Sequence, residues 1–546
     1  MLPFITGLFL FSFGESRSLE GRVVSYWGQP VSGAPVYLIT VETTETLPVR
    51  SVKTDDRGGF TLSPPFFDAP MLLLAFDPKM GWGWEKILVT TDQPVLVRLL
   101  LGKPLEGQLL PKLSTKVRLT RLEPLTLFGP LFEPLNLEAI RLPFIETRSN
   151  SNGRFRFPLV PLGMKVTVSL PDLGWEWTIT GDESHRFSLP PLGILSGTVV
   201  TAEGGRALGS AKVSLVPASV RHPSGQPREV TVTTNRLGRF RARLPIGQWF
   251  AWVKDGDSGW ITKPVLATVN PDSEVSVRLT AQKPGIVRGW VADVVTRFPL
   301  TQLPVKAETR SHGLWVSSDG ATRTLEGAYE IHLPDGLWRL FVADPDWESQ
   351  AVELEIKGGA VLEAPAIFAK RKPFANLRPI RFDGKEAVTF VANRQGKRRV
   401  GHPERPLVWT LQKSVPETLF LCSPDKSEWA RVDASLPSTI IIRLEPGIRI
   451  NGTVRDQKGN PIGNCVVVLS CRWTRDDPPI DLNATITDEQ GNFQIGSPRA
   501  DAIRLKAVAR QGQSVSQWIR PESPTLVLGL TVKEKIREFS EERWKN

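Results

Sequence analysis

Paired tryptophans are the first side chains in this chain whose type and spacing suit a chemical task, the stacking of sugar rings. The 546 residues include 17 Trp against only 3 Tyr. Trp82 and Trp84 are two residues apart, as are Trp175 and Trp177, and residues so spaced share one face of a β-strand. An exposed indole ring offers a flat apolar surface, so Trp84 and Trp177 are the candidate sugar-stacking residues. The alternative is that these tryptophans fill the ends of small cores, which their recurrence after the same hairpin favours.

A basic segment is the second candidate for binding. The chain carries a net charge of +11, and residues 370–405 hold 11 Lys or Arg against three acidic residues. Arg394, Lys397, Arg398 and Arg399 form a cluster suited to an anionic envelope polymer, lipid headgroups or nucleic acid. The alternative is a solvated basic loop. No aromatic residues interleave with these charges, so the sequence carries no specific nucleic-acid motif.

Residues that would signal catalysis or a bound metal lack the required spacing. The five histidines are scattered, and none stands in a His-x-x-Glu or His-Glu-x-x-His sequence, so a zinc hydrolase is not predicted. Gly256–Gly259 reads Gly-Asp-Ser-Gly, as at a serine protease nucleophile, but it occupies a hairpin turn and no Ala-His-Cys segment supplies a base. Turns such as Asp55-Asp56 offer one or two carboxylates, whereas Ca²⁺ takes six or more oxygen ligands. The sequence therefore predicts a protein that is not an enzyme and has no catalytic residue, metal or cofactor.

A repeated phrase of sequence indicates what positions these side chains. Its clear copies are residues 54–60, 234–240 and 487–493, which read Thr-Asp/Asn-x-x-Gly-x-Phe, and weaker copies end at Phe155 and Tyr329. The Asx side chain can accept a bond from the backbone two residues on, and the glycine can take a positive φ before a strand resumes. Copies recur about every 85–90 residues, a spacing typical of small all-β domains and too long for a solenoid.

The first and last copies extend into a longer pattern. Residues 21–38 and 452–469 each read Gly-x-Val, Gly-x-Pro-Val/Ile and small-x-Val-x-Leu ahead of the repeated phrase. This pattern resembles the carboxypeptidase regulatory-like domain, a seven-stranded transthyretin-like β-sandwich common in multidomain exported bacterial proteins. Of the six modules that this spacing predicts, modules 1 and 6 match the family pattern well, module 3 fairly, modules 2 and 4 loosely, and module 5 only at its end. The resemblance implies a fold and leaves function open, because such domains accompany many different proteins.

The predicted fold class is all-β, a tandem array of about six Ig-like or transthyretin-like antiparallel β-sandwich modules. Prolines before each first strand indicate short linkers with limited freedom. The expected division is a signal peptide at 1–18, sandwiches at 19–102, 103–190 (degenerate), 191–282, 283–371, 372–445 (degenerate and basic) and 446–532, and a charged tail at 533–546.

The apolar run Leu2–Phe13 is too short to cross a bilayer and predicts a secretory signal peptide, with an apolar leading strand as the alternative. No later segment reads as a transmembrane anchor. Cys422, Cys465 and Cys471 are the only cysteines, so a disulfide framework is excluded and core packing is expected. A bond from Cys422 to either of the others is left open.

These features predict a secreted or extracytoplasmic protein that acts as a structural, adhesive or display module at the cell envelope. The alternative is a carbohydrate-binding protein that uses exposed Trp residues. The expected partner is an anionic envelope polymer, a polysaccharide or another surface protein.

Overall fold

The computed structural model describes residues 18–40, 50–63, 71–87, 94–129, 134–180, 185–218, 225–254, 259–317, 322–323, 326–385, 388–401, 407–411, 417–434, 439–509, 512–516, 518–521 and 525–534. The signal peptide prediction up to residue 17, and the tail prediction beyond Glu534, concern residues outside these ranges. The regular secondary structure of the described residues is β-strand, apart from one 3-10 turn at Pro143–Ile145. The fold is a tandem array of six β-sandwich modules.

Modules 1 to 3 contain the first 24 strands. Module 1 contains β1 (Leu19–Val24), β2 (Pro35–Thr40), β3 (Arg50–Lys53), β4 (Gly59–Leu62), β5 (Met71–Asp77), β6 (Gly81–Ile87) and β7 (Val95–Arg98). Module 2 contains β8 (Leu100–Leu110), β9 (Lys116–Pro124), β10 (Leu135–Asn136), β11 (Glu146–Arg148), β12 (Arg154–Pro161), β13 (Met164–Leu170), β14 (Trp175–Thr180) and β15 (His185–Ser188). Module 3 contains β16 (Leu192–Thr201), β17 (Lys212–Pro217), β18 (Gln226–Pro227), β19 (Val230–Thr233), β20 (Arg239–Pro245), β21 (Gly247–Trp252), β22 (Ile261–Thr262), β23 (Val265–Val269) and β24 (Glu274–Gln282).

Modules 4 to 6 contain the rest. Module 4 contains β25 (Gly285–Asp293), β26 (Pro304–Ser311), β27 (Leu314–Ser317), β28 (Thr322–Arg323), β29 (Ala328–Leu333), β30 (Gly336–Val342), β31 (Trp347–Ser349), β32 (Val352–Ile356), β33 (Val361–Glu363) and β34 (Ile367–Arg371). Module 5 contains β35 (Phe374–Ile380), β36 (Thr389–Asn393), β37 (Arg398–Gly401), β38 (Leu407–Thr410), β39 (Glu417–Cys422), β40 (Glu428–Ala434), β41 (Thr439–Arg443) and β42 (Glu445–Pro446). Module 6 contains β43 (Ile448–Arg455), β44 (Val466–Arg472), β45 (Ile480–Ile486), β46 (Asn492–Ser497), β47 (Ala502–Ala509), β48 (Gly512–Val515), β49 (Thr525–Thr531) and β50 (Lys533–Glu534).

The same two-sheet arrangement recurs in these modules. One sheet places the first strand between an antiparallel strand and the last strand, in the orders β4-β1-β7, β20-β16-β24, β29-β25-β34, β38-β35-β41 and β46-β43-β49. The second sheet is antiparallel, as in β19-β17-β21-β23 and β45-β44-β47-β48. The first and last strands of a module pair in parallel, which the antiparallel prediction did not include. This happens because the chain crosses to the other sheet and returns before it adds the last strand.

The chain divides into two compact units. The first contains the chain up to Leu105 together with Leu135–Ile145 and Phe157–Leu162, and therefore includes module 1. The second contains Glu106–Pro134, Glu146–Arg156 and the chain from Gly163 onward, and therefore includes most of module 2 and all of modules 3 to 6.

The repeated phrase builds a buried hydrogen-bonded corner. In module 6, the Thr487 hydroxyl accepts a bond from the Cys465 amide at 2.9 Å and donates one to the Ile462 carbonyl at 2.9 Å. The hydroxyls of Thr54, Thr234 and Ser149 make the same two kinds of bond in modules 1, 3 and 2. A buried backbone group without a partner is costly, so this hydroxyl, which follows the third strand, fixes the corner between the first and second strands.

The Asx residue and the glycine of the phrase act as predicted. The Asn235 side-chain oxygen accepts bonds from the Leu237 amide at 2.9 Å and the Arg239 amide at 3.0 Å. Gly238 has a φ of 68°, and the equivalent glycines of modules 1, 2 and 6 have φ values of 74°, 72° and 77°. The aromatic residue that follows is buried in each copy, with Phe240 only 4% exposed. The phrase is therefore a folding device.

Tyr329 takes the place of this phenylalanine in module 4 and leads to a stability prediction. Its hydroxyl is buried without a hydrogen-bond partner among the described residues, and burial raises its pKa to about 12. We expect Tyr329→Phe to raise the free energy of unfolding by about 1 kcal/mol, because an unsatisfied buried hydroxyl is removed. The reverse change in module 3, Phe240→Tyr, should lower it. Chemical denaturation of the full chain measures both, and a destabilised Tyr329→Phe variant would contradict the assignment.

Candidate functional site: a junction of three modules

The two candidate sugar-stacking tryptophans lie in cores. Trp84 is 3% exposed and Trp177 is 8% exposed. Trp177 packs edge-to-face on Trp175 and on Phe187, with ring centroids 6.4 Å and 5.0 Å away. Sugar stacking requires an accessible ring face, so the structure contradicts the exposure that these two assignments need. Strand β6 is covered on both faces near its tryptophans, and β14 is covered on the face that carries Trp175 and Trp177, which a two-residue spacing does not reveal.

The basic cluster of module 5 is directed at other parts of the chain. Arg394 forms an ion pair with Asp477 of module 6 at 3.3 Å. Arg399 forms one with Asp346 of module 4 at 2.6 Å and also donates to the Val408 carbonyl. Both arginine side chains are less than a third exposed. Their charges therefore bind neighbouring modules.

Lys397 and Arg398 are also engaged. Lys397 donates to the Thr410 carbonyl at 3.2 Å and lies over the Trp409 ring, and burial lowers its pKa. Arg398 donates to the carbonyls of Thr126 at 3.0 Å and Leu127 at 3.1 Å, both in module 2. Burial likewise lowers the pKa of Arg398. The four side chains thus hold the protein's own backbone and carboxylates, and binding of an external polyanion stays an untested prediction.

The partner of Arg398 is an apolar loop that follows β9. The Leu127 amide donates to the Asp481 carbonyl at 3.2 Å, and the Phe128 amide donates to the Leu482 carbonyl at 2.7 Å. Phe128 is completely buried and meets Trp429 of module 5 edge-to-face, with centroids 5.6 Å apart. Phe128 belongs to one continuous core with residues of modules 5 and 6. We call Thr126–Gly129, Arg398, Lys426, Trp429 and Asp481–Asn483 the junction.

Lys426 is the charged centre of the junction. Its Nζ donates to the Gly129 carbonyl at 2.9 Å and to Asn483 Oδ1 at 3.0 Å, and so connects three modules. Trp429 donates its indole N–H to the Lys426 carbonyl at 2.9 Å. Burial lowers the pKa of Lys426 to about 8. Two hydrogen bonds offset part of the cost of desolvating this ammonium group.

The lowered pKa of Lys426 makes the stability of the junction depend on pH. In the unfolded chain a lysine titrates near 10.4, so between about pH 8 and 10 the unfolded state binds more protons than the folded state. The free energy of unfolding must therefore rise with pH in this window. Relative to Lys426→Met, the wild-type chain should gain about 1–2 kcal/mol between pH 7.5 and 9.5. Urea unfolding of both proteins at the two pH values measures this gain, and equal pH dependence would refute it.

Further interfaces connect modules 2 to 5 in chain order. Between modules 2 and 3, Glu176 forms an ion pair with Arg228 at 2.9 Å, and β14 pairs with β18. Between modules 3 and 4, the rings of Trp252 and Trp338 stack with centroids 6.4 Å apart.

Between modules 4 and 5, Asp346 accepts bonds from Arg399 and from the Thr410 hydroxyl, each at 2.6 Å. Burial of Asp346 opposes ionisation, but these bonds hold its pKa below the usual value.

Modules 5 and 6 also share an ion-pair bridge. Asp477 of module 6 accepts Arg431 at 2.9 Å as well as Arg394. With the junction, contacts run from module 2 through modules 3, 4, 5 and 6 and back to module 2. Within the second unit, each of modules 2 to 6 therefore contacts at least two of the others. An end-to-end string, which short linkers between similar modules suggest, does not describe it.

Sequence reasoning did not find the junction. The run Leu125–Phe128 is apolar, but it lies in a loop without strand periodicity, and its partners are more than 270 residues away. Its one visible signal is an apolar run at a position where a loop would be polar.

Metal-binding clusters, membrane-spanning helices and disulfides are absent from the described ranges. No group of three or more His, Cys, Asp or Glu residues there is arranged to hold a metal ion. No helix there is long and apolar enough to cross a membrane. The three cysteines are buried and unpaired, so neither of the disulfides left open by the sequence is formed.

No protein-family model and no curated protein matches the sequence. Among solved structures, the chain is similar to the Bacillus anthracis TIE protein at 13% identity, over 63% of this chain and 70% of that one, with a TM-score of 0.16. A streptococcal ancillary pilin matches at 12% identity over 48% of this chain and 98% of its own, with a TM-score of 0.16. The shaft pilin SpaA from Lactobacillus rhamnosus GG matches at 12% identity over 33% and 98%, with a TM-score of 0.14.

Proposed function

We propose that this chain is a non-enzymatic structural protein of the cell envelope, in which modules 2 to 6 act as one body that presents its outer surfaces. The observation that carries the proposal is the junction, in which Phe128 and Lys426 join modules 2, 5 and 6. A flexible tether would gain nothing from contacts between residues so far apart in sequence. A rigid support needs them, because each small sandwich has only a small core of its own.

The use of charge supports the same role. Arg394, Arg398 and Arg399 all bind groups in other modules, and Asp346 and Asp477 receive them. Partly buried ion pairs between carefully placed groups favour one arrangement of modules over others. The most basic segment of the chain thus acts as an internal connector.

The location follows from two features of the sequence. The apolar run Leu2–Phe13 favours export, and the module pattern resembles carboxypeptidase regulatory-like domains, which are common in exported proteins. We assign the modules to that family on the Gly-x-Pro turn and the Thr-Asx-x-x-Gly-x-Phe phrase. The Thr487 corner gives the phrase a structural reason to recur.

Two measurements test the proposal. Fractionation of the source cell with a specific antibody should find the protein in the envelope or the medium, and a purely cytoplasmic protein would exclude an envelope role. Calorimetry of the full chain should give one cooperative transition for modules 2 to 6. Separate transitions for these modules would show that they are independent beads, and would exclude the single body.

A further inference from the structure

Module 4 exposes aromatic side chains on the outer face of its first sheet. Trp290 on β25 is 54% exposed, and Phe368 on β34 is 40% exposed. Phe298, in the turn that follows β25, is 72% exposed. Large apolar side chains grouped on a rigid sheet indicate an interaction site more strongly than isolated ones do.

The sister modules supply an internal comparison for Trp290. In every well-formed module a glycine of the first strand lies opposite the core aromatic, as Gly289 lies opposite Tyr329. The next residue is Trp290 in module 4, but its counterparts in modules 1, 3 and 6 are Arg22, Thr198 and Thr453. Polar residues at this outward position are therefore compatible with the fold.

Phe368 departs from its sisters in the same way. It pairs in parallel with Ala292 of the first strand. The residues at this pairing in modules 1, 3 and 6 are Arg98, Thr280 and Thr531. Two outward polar positions on neighbouring strands have therefore both become aromatic in one module, which the packing of the sandwich does not require.

These two rings form an aromatic platform whose open ring face is that of Trp290. Trp290 lies opposite Ala328 on β29, and Phe368 lies opposite Ala292 on β25. Alanine side chains are too short to cover an adjacent indole ring. The open indole face of Trp290 suits the C–H face of a pyranose ring.

A guanidinium group lies beside the platform. Arg297 stands over the Phe368 ring with Cζ 4.2 Å from the centroid, and it forms no ion pair with any described residue. Of the nearby acids, Glu330 is already paired with Arg288 at 2.9 Å, and the Asp293 carboxylate accepts two backbone N–H bonds. Arg297 is therefore a cation of this face that is available to an incoming anion.

The next rung of the sheet supplies fixed polar groups. Glu330 accepts Arg288 on one oxygen and contacts His332 Nε2 at 3.2 Å through the other. All three side chains are about half exposed. Such a fixed set of donors and acceptors next to an aromatic platform can bind the hydroxyl groups of a sugar.

From these observations we infer that the outer face of module 4 binds an acidic polysaccharide, with a pyranose ring on Trp290 and a carboxylate on Arg297, whose guanidinium group is held over the Phe368 ring. The patch comprises few side chains, whereas a stable protein interface needs about 800 Å² on each partner. A carboxylate-bearing sugar chain matches both the ring surface and the available guanidinium. This inference goes beyond the structural role, since modules 2 to 6 can hold together whether or not a ligand is bound.

The test uses variants that copy the sister modules. Trp290→Thr and Phe368→Thr introduce the residue that modules 3 and 6 carry, so both should fold. Trp315→Thr is the matched control, because Trp315 is 48% exposed on the other sheet of the same module. Calorimetric titration of the full chain with polygalacturonate, alginate and hyaluronan should detect binding of at least one polymer. Each platform variant should weaken it at least tenfold, and the control should leave it unchanged.

Methyl-esterified polygalacturonate separates the two parts of the recognition when polygalacturonate binds. The ester keeps the sugar ring and removes the charge, so its binding should be much weaker, as should that of Arg297→Ala to the acid form. Binding of none of the three acidic polymers would overturn the inference. Equal binding by the ester, or by Trp290→Thr, would overturn the acidic ligand or the platform respectively. Calorimetry of module unfolding is a separate readout, so failure here leaves the structural proposal intact.

Discussion

Replacing Phe128 with alanine should lower the free energy of unfolding of the second unit by about 3–5 kcal/mol, the usual cost of removing a buried phenylalanine ring. Phe128 is completely buried against Trp429 and lies in a core that modules 2, 5 and 6 share. Its loss would leave a cavity in the junction between module 2 and modules 5 and 6. Urea unfolding followed by tryptophan fluorescence measures the change.

The control for Phe128→Ala is Leu237→Ala. Leu237 is 64% exposed in the turn of the repeated phrase in module 3, so its truncation should change stability by less than about 0.5 kcal/mol. A decrease of less than about 1 kcal/mol in the free energy of unfolding for Phe128→Ala would contradict a stabilising role for the loop. A large loss for both variants would mean that the second unit responds to any truncation.

Adding a single methyl group at Gly491 should have a comparable effect. Gly491 has a φ of 77°, and a Cβ there would stand 2.5 Å from the Val454 carbonyl oxygen and 3.1 Å from the Ile462 amide nitrogen. Left-handed strain and a clash with backbone that cannot move add to roughly 2–5 kcal/mol. Equilibrium unfolding of Gly491→Ala measures this loss.

Gly459 provides the matched position in the same module. Its φ is 87°, but a Cβ there would meet nothing within 4 Å. Gly459→Ala should therefore cost only the conformational strain, about 1–2 kcal/mol. The difference between the two variants isolates the close approach of the first strand to the turn. Equal costs would show that the strand does not pass as near to Gly491 as the structure has it.

The sequence was sufficient for the parts of the fold that depend on local rules. The Asx residue and the glycine of the repeated phrase predicted the turn at Asn235 and Gly238, because both act on backbone within four residues. The role of the threonine hydroxyl was not predicted. Its partners lie more than 20 residues earlier, in the corner between two other strands.

The candidate sites were harder to predict, because exposure and partners are tertiary properties. The spacing of Trp82 and Trp84 correctly indicates a shared strand, but it does not say whether the face is covered. From the sequence alone, a run of basic residues such as that around Arg398 is interpreted as an exposed surface. In the structure, the hydrogen-bond acceptors of Arg398 are carbonyls of a loop that is distant in the chain. Trp290 was overlooked because it follows none of the repeated patterns; comparison with Arg22, Thr198 and Thr453 at the aligned position would have marked it.

Amide hydrogen exchange at Leu127 and Phe128 tests most directly whether module 2 is held in stable contact with modules 5 and 6. Both residues lie outside regular strands, and their amides donate to the Asp481 and Leu482 carbonyls of module 6. In the full chain we expect both to exchange at least about a thousandfold more slowly than an unstructured peptide, which corresponds to roughly 4 kcal/mol of protection. Exchange at open-loop rates, while the amides of β13 in the same module stay protected, would contradict the junction and the single body built on it.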